Sequence, residues 1–103
     1  MKTNHAGLFV FLSEQILSGD YSNLPLLSRL FDLPAFTEDS SKDPVLSKQV
    51  SAIAVRCEES ALEKNAHAMF LRGAMFTFGI GSLNYAQAIH YYEQAIKLKH
   101  PVA

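Results

Sequence analysis

The length, composition and charge of this sequence limit what it can be. It has 103 residues, of which 49% are hydrophobic and 18% are charged, so it is long enough to bury one core and unlike the polar, charge-rich sequences that stay disordered. Nine Lys and Arg stand against ten Asp and Glu, for a formal net charge of −1. This balance argues against nucleic acids and anionic membranes as partners, because both are bound by strongly basic faces.

Two helices are predicted in the N-terminal third. Over 5–17, apolar residues recur at helical spacing after Asn4, a candidate N-cap. The second helix has Pro25 in its first turn and an apolar face made mainly of leucines, and Pro34 is expected to stop it. The polar, turn-prone segment 36–43 is then predicted to be a loop.

Three further helices are predicted after this loop. Asp43 is the expected N-cap of a long helix over 44–65, and the segment 66–78 is apolar on all sides, which is typical of a helix buried all round. The last helix, capped by Asn84, should turn one apolar stripe to the core: Tyr85, Ala88, Ile89, Tyr92, Ala95 and Ile96. Since no segment alternates as a strand does, the predicted fold class is all-α, with about five antiparallel helices in a single domain over 1–103.

The two C-terminal helices and the turn between them contain three short sequence motifs in a fixed order. The stretch AHAMFLRGAMFTFGIGSLNYAQAIHYYEQAIKLKHPVA contains a G-x-M-F step, a G-x-G turn and an A-x-x-Y-Y-x-x-A run. Residues 66–103 thereby resemble a Sel1-like repeat, a relative of the tetratricopeptide repeat. The positions of the resemblance are Ala68, Gly73, Met75, Phe76, Gly79, Gly81, Tyr85, Ala88, Tyr92 and Ala95. The sequence departs from the family pattern in two ways. Its turn is one residue short, and Arg72 stands where the family prefers leucine.

The resemblance implies a helical hairpin over 66–99, with residues 1–35 as an N-terminal helical cap. Such repeats stack on one another and several copies are normally needed for stability. The segment SALEKNAHA, 60–68, looks like the end of one repeat running into the next. We therefore expect a fragment of a longer protein, with a further repeat after Ala103.

A helical repeat of this kind implies a function in protein–protein interaction, as a scaffold or adaptor, and not an enzyme. The expected partner is a protein of unknown identity, and no cofactor is implied. Two alternatives stay open: a helical accessory domain of a larger enzyme that binds a nucleotide or small ligand, and a self-association module that forms a homo-oligomer.

A cytoplasmic location is expected, in the bacterial cytosol or, for a secreted effector, in the cytosol of a host. The single cysteine, Cys57, cannot form an internal disulfide, which favours a reducing compartment. The apolar run at 7–12 is too short for a signal peptide, and no stretch is long enough to cross a membrane.

Several residues have side chains or backbone groups that could support chemistry or binding. The turn at 79–82 could aim N–H groups at a phosphate, but no strand precedes it and no lysine follows it, so a helical-hairpin turn is favoured. His90 has Glu93 on the same helical face but no further ligand at metal-binding spacing, so no metal site is predicted. Cys57 falls on an apolar face and is expected to be a buried small side chain and not a nucleophile. The candidate partner-binding residues are His67, Arg72, His90 and Tyr91.

Overall fold

The protein is all-helical, and its computed structural model describes residues 5–98 and 100. Six α-helices follow one another in the described chain: α1 His5–Leu17, α2 Leu24–Phe31, α3 Pro34–Lys42, α4 Pro44–Leu62, α5 Ala66–Phe78 and α6 Tyr85–Lys97. No strand occurs in these residues. The helix α5 makes its most extensive contacts with α6, followed by α4 and α1. The all-α prediction is therefore confirmed, with one helix more than expected.

Side-chain caps explain where α4 and α6 begin. Asp43 Oδ1 accepts a hydrogen bond from Val45 N at 3.0 Å at the start of α4, and Asn84 accepts one from Gln87 N at 3.1 Å at the start of α6. Both caps were predicted, because short polar side chains satisfy the unpaired N–H groups of a first turn. The predicted cap Asn4 lies outside the described residues.

The additional helix is α3, which replaces the predicted loop at 36–43. Pro34 does not simply stop α2: it occupies the first turn of α3, where its missing N–H costs nothing. Phe36 anchors the helix in the core, with ring centroids 5.8 Å from Phe9 and 5.9 Å from Phe31. Among the polar residues that suggested a loop, Ser40 is buried, whereas Glu38 and Lys42 are exposed and pair at 3.0 Å.

The helix α4 is slightly shorter than the predicted span of 44–65. It ends at Leu62, after which Lys64 takes a left-handed conformation with φ of +64°. Asn65 then caps α5 instead of closing α4, because its side chain accepts hydrogen bonds from His67 N and Ala68 N. This change places a sharp bend between the two helices that form the centre of the fold.

The core lies where α1, α4 and α5 meet, with the phenylalanines of α1, α2 and α3 at one end. As predicted, α5 is buried around its circumference: all residues from 71 to 76 are buried, and these six span more than one helical turn. Its fully buried neighbours include Leu12, Ile16 and Leu46. Among the described helices, none is both long and apolar enough to cross a bilayer.

Candidate functional site

The glycine turn between α5 and α6 is held by hydrogen bonds within the protein. Gly79 and Gly81 have φ of +74° and +86°, a conformation that side chains with a Cβ rarely adopt. The N–H of Ile80 donates to Met75 O at 2.9 Å, and that of Gly81 donates to Ser40 Oγ at 3.0 Å. These two amides are thus engaged by the protein itself, as in a hairpin turn that is fixed against α3.

Small residues allow α5 and α6 to approach closely. A Cβ at Gly73 would come within 2.9 Å of the Tyr92 ring, so only glycine fits there without movement. Tyr92 also contacts Phe70, with centroids 6.1 Å apart, and its hydroxyl lies 3.3 Å from Thr77 Oγ1. On the α6 side, the two alanines at 88 and 95 are buried. Gly73 and Tyr92 therefore meet across this helix pair.

The apolar stripe of α6 is only partly buried, which corrects the prediction that all of it faces the core. Tyr85, Ile89 and Ile96 are 62%, 57% and 55% exposed. Together with residue 92 they follow the spacing i, i+4, i+7 and i+11, so they share one side of the helix. The physical reason is that α6 packs chiefly against α5, which covers only the alanine side and part of Tyr92. We call Tyr85, Ile89 and Ile96 the outer stripe of α6.

Arg72 lies in the interior although it carries a charge. It is 8% exposed, its Nε donates to Glu58 Oε1 at 3.3 Å, and its guanidinium carbon stands 3.8 Å from the centre of the Phe76 ring. Tyr91 stacks on Phe76, with centroids 6.0 Å apart. Arg72 and Tyr91 are thus held by the same phenylalanine, and Tyr91 is half-buried and not fully free for a partner.

His67 belongs to a different cluster. Its Nδ1 lies 2.6 Å from Tyr21 Oη, and His100 Nε2 is hydrogen-bonded to the same hydroxyl. A tyrosine hydroxyl has one proton to donate, so one of the two rings must donate to the tyrosine oxygen. His100 also stacks on Phe70, with centroids 4.8 Å apart. This cluster ties residue 100 to the connection between α1 and α2.

The four candidate partner-binding residues do not gather into one groove. His67 and Arg72 are five residues apart on α5, about 140° around the helix, and they contact different neighbours. His90 is exposed and its Nε2 lies 2.8 Å from Gln94 Nε2. In the described part of the chain, no group of three His, Cys, Asp or Glu side chains is placed to hold a metal ion.

Cys57 is fully buried in the core, as predicted. Burial raises the pKa of its thiol to about 12, and the positive charges of Arg72 and Arg56 only partly oppose this shift. The thiol therefore stays protonated at neutral pH, which removes its nucleophilic form.

Two features of the structure are not predicted from the sequence. One is the sharing of Tyr21 by two histidines, which lie 46 and 79 residues away along the chain. The other is a cavity at Arg72 that is lined largely by serines. The spacing of Ser47 and Ser51, one helical turn apart on α4, was the only signal of this cavity in the sequence.

Comparisons of the chain with models of protein families, with curated proteins and with solved structures found no match. Function is therefore inferred from the residues and their geometry.

Proposed function

We propose that this chain is a protein–protein interaction module of the helical-repeat type, a scaffold or adaptor that binds its partner through the outer stripe of α6. One observation carries the proposal: three large apolar side chains, Tyr85, Ile89 and Ile96, lie in line on one helix and are each more than half exposed. Single exposed apolar residues are ordinary, but a contiguous row is typical of an interaction surface.

The packing of α5 and α6 supports the same proposal. In stacked helical repeats, each hairpin buries one side against its predecessor and leaves the other for its neighbour or partner. Here α5 is covered by α1 and α4, whereas α6 packs chiefly on α5. A partner that covers the outer stripe is expected to present apolar side chains at its centre and polar groups around them.

The experiment is capture of partners by the intact, tagged protein from extracts of the cells that express it. Ile89→Lys places a charge in the middle of the outer stripe and is expected to abolish capture of the partner. Val55→Lys is the matched control, because Val55 is also about half exposed, at 50%, but belongs to α4. Capture that both variants retain equally would contradict the proposal.

Self-association is the second candidate, and the same exposed stripe favours it. Two copies that meet through α6 would cover one another's apolar side chains, as in an isologous dimer. Light scattering distinguishes the two functions. A dimeric mass that falls to a monomeric mass in Ile89→Lys, but not in Val55→Lys, would identify the partner as a second copy of this chain.

A further inference from the structure

A polar cavity of about 270 Å³ lies where α3 and α4 meet the turn between α5 and α6. Five of the ten residues that line it are serines: Ser40, Ser41, Ser47, Ser51 and Ser82. Arg72 is the only charged residue that lines it within the described chain, and no acidic side chain does so. A cavity with one cation and several hydroxyls is suited to an anionic ligand.

The guanidinium of Arg72 has hydrogen-bonding capacity that the protein does not use. Its Nε donates to Glu58, but neither Nη group has a hydrogen-bond partner in residues 5–98 and 100. A guanidinium keeps its charge in proteins, and its donors need acceptors when it is buried. The Nη groups of this 8% exposed residue are therefore left for an acceptor in the cavity.

Glu58 does not neutralise the cavity. Its contact with Arg72 is a single one, at 3.3 Å to Nε, and its side chain is 49% exposed, so solvent screens much of its charge. The carboxylate also lies outside the cavity lining. An incoming anion would therefore still meet a charged guanidinium with two unused Nη groups.

The serines divide into two roles. Ser40 and Ser41 are engaged by the fold. The Ser40 hydroxyl donates to Thr37 O at 2.6 Å and accepts from Gly81 N, and the Ser41 hydroxyl donates to Glu38 O at 3.2 Å. In contrast, the hydroxyls of Ser47, Ser51 and Ser82 have no hydrogen-bond partner among the described residues. Ser47 and Ser51 stand one turn apart on α4, and Ser82 faces the cavity from the turn.

We propose that this cavity binds a phosphoryl group, as inorganic phosphate or as a phosphate monoester. Arg72 would bind two oxygens through its Nη groups, in the bidentate manner that suits guanidinium and phosphate. The hydroxyls of α4 and of the turn would bind the remaining oxygens. Donors from three separate elements fit a tetrahedral anion better than a planar carboxylate, whose acceptor directions lie in one plane. This site is distinct from the outer stripe of α6.

The test is a titration of the full ¹⁵N-labelled chain with sodium phosphate, against sodium chloride at matched ionic strength. We expect saturable shifts of the Arg72 Nε–H signal and of the Ser51 and Ser82 amide signals with phosphate only. A parallel titration with O-phosphoserine, against serine, distinguishes free phosphate from a monoester as the source. Binding of either phosphoryl compound supports the proposal. The proposal is overturned if neither compound causes a saturable shift, or if chloride causes equal shifts.

Variants locate the site. Ser51→Asp puts a carboxylate into the cavity and should weaken binding at least tenfold, whereas Ala52→Asp, with the same charge on the adjacent exposed position, should not. Arg72→Gln should also weaken binding at least tenfold, with the exposed Arg56→Gln as its control. If Arg72→Gln fails to fold, the comparison of Ser51→Asp with Ala52→Asp decides whether the cavity is the binding site. Equal affinity in these two variants would overturn the proposal.

Discussion

His100 shows how the environment of one residue links pH to stability. Its side chain is buried against Phe70 and Tyr21, and this burial lowers its pKa from the ordinary value of 6.5. The nearby ring of His67 lowers it further. The unfolded chain therefore binds a proton at His100 more readily than the folded chain does, so the contribution of this residue to stability is present above about pH 6.5 and is lost as the pH falls below it.

We expect the free energy of unfolding to decrease between pH 7.5 and pH 5.5, and to decrease less in His100→Phe. Phenylalanine retains the stacking on Phe70 but has no proton to bind. His90→Phe is the control, since His90 is an exposed histidine on α6, and it should keep the pH dependence of the natural chain. Urea unfolding, monitored by circular dichroism at the two pH values, measures the free energy of unfolding of the natural chain and of both variants. An unchanged pH dependence in His100→Phe would contradict the assignment.

Arg72 is the other residue whose surroundings matter more than its type. A guanidinium here occupies the interior between Glu58 and Phe76. The flat face of the guanidinium packs on the aromatic ring, which partly replaces the contacts of an aliphatic side chain. The charge that remains is what makes the adjoining cavity suited to an anion.

At the scale of single elements, α3 exists because of its neighbours. Its nine residues PAFTEDSSK contain few apolar positions, and so short a helix is marginal in isolation. Phe36 packs among the phenylalanines of α1 and α2, and Ser40 holds the glycine turn through Gly81 N. These two tertiary contacts compensate for weak local propensity.

The close packing of α5 on α6 depends on Gly73, because the Tyr92 ring occupies the space that a Cβ at residue 73 would need. We expect Gly73→Ala to destabilise the chain by up to about 2 kcal/mol, because the overpacking against Tyr92, about 1–3 kcal/mol, exceeds the gain of about 1 kcal/mol in helix propensity. In a Tyr92→Ala background the same change should instead stabilise, by up to about 1 kcal/mol. Chemical denaturation of the four variants in this cycle provides the measurement.

The sign change is the decisive result of that cycle. If Gly73→Ala stabilises the natural chain as much as it stabilises Tyr92→Ala, then the close contact between residue 73 and the Tyr92 ring does not govern the packing of the two helices.

At the scale of the whole molecule, α1 closes the core over the two central helices. Phe9, Leu12 and Ile16 are at most 1% exposed, and α1 contacts both α4 and α5. Without this cover, the buried faces of α4 and α5 would meet water, at a cost of about 25 cal/mol for each Å² of apolar surface. Residues 1–35 were predicted to act as a cap, and the position of α1 is compatible with that hypothesis.

A chain that lacks residues 1–34 is expected to lose cooperative unfolding and to aggregate. Circular dichroism melting and size-exclusion chromatography test this, with Leu26→Ala as a control that alters an exposed residue of α2 in the full chain. A soluble truncated protein with a sharp thermal transition would show that the hairpin and α4 are stable without a cap.

The sequence alone determined most of the helices, because their signals are local. The caps Asp43 and Asn84 and the apolar periodicity of α1 and α4 depend on residues within a few positions of one another, and these predictions are confirmed. The buried state of Cys57 followed from the same periodicity.

Only the tertiary structure decided what covers each face and which distant residues meet. Periodicity identifies an apolar stripe on α6, but the stripe is half exposed because, within the described residues, α5 is its only extensive neighbour. Likewise, α3 forms through an aromatic cluster drawn from three helices. Arg72 and two serines of α4 line one cavity because the chain bends at Lys64 and Asn65. Contacts between residues far apart in the chain depend on the packing of whole helices, which no local pattern encodes.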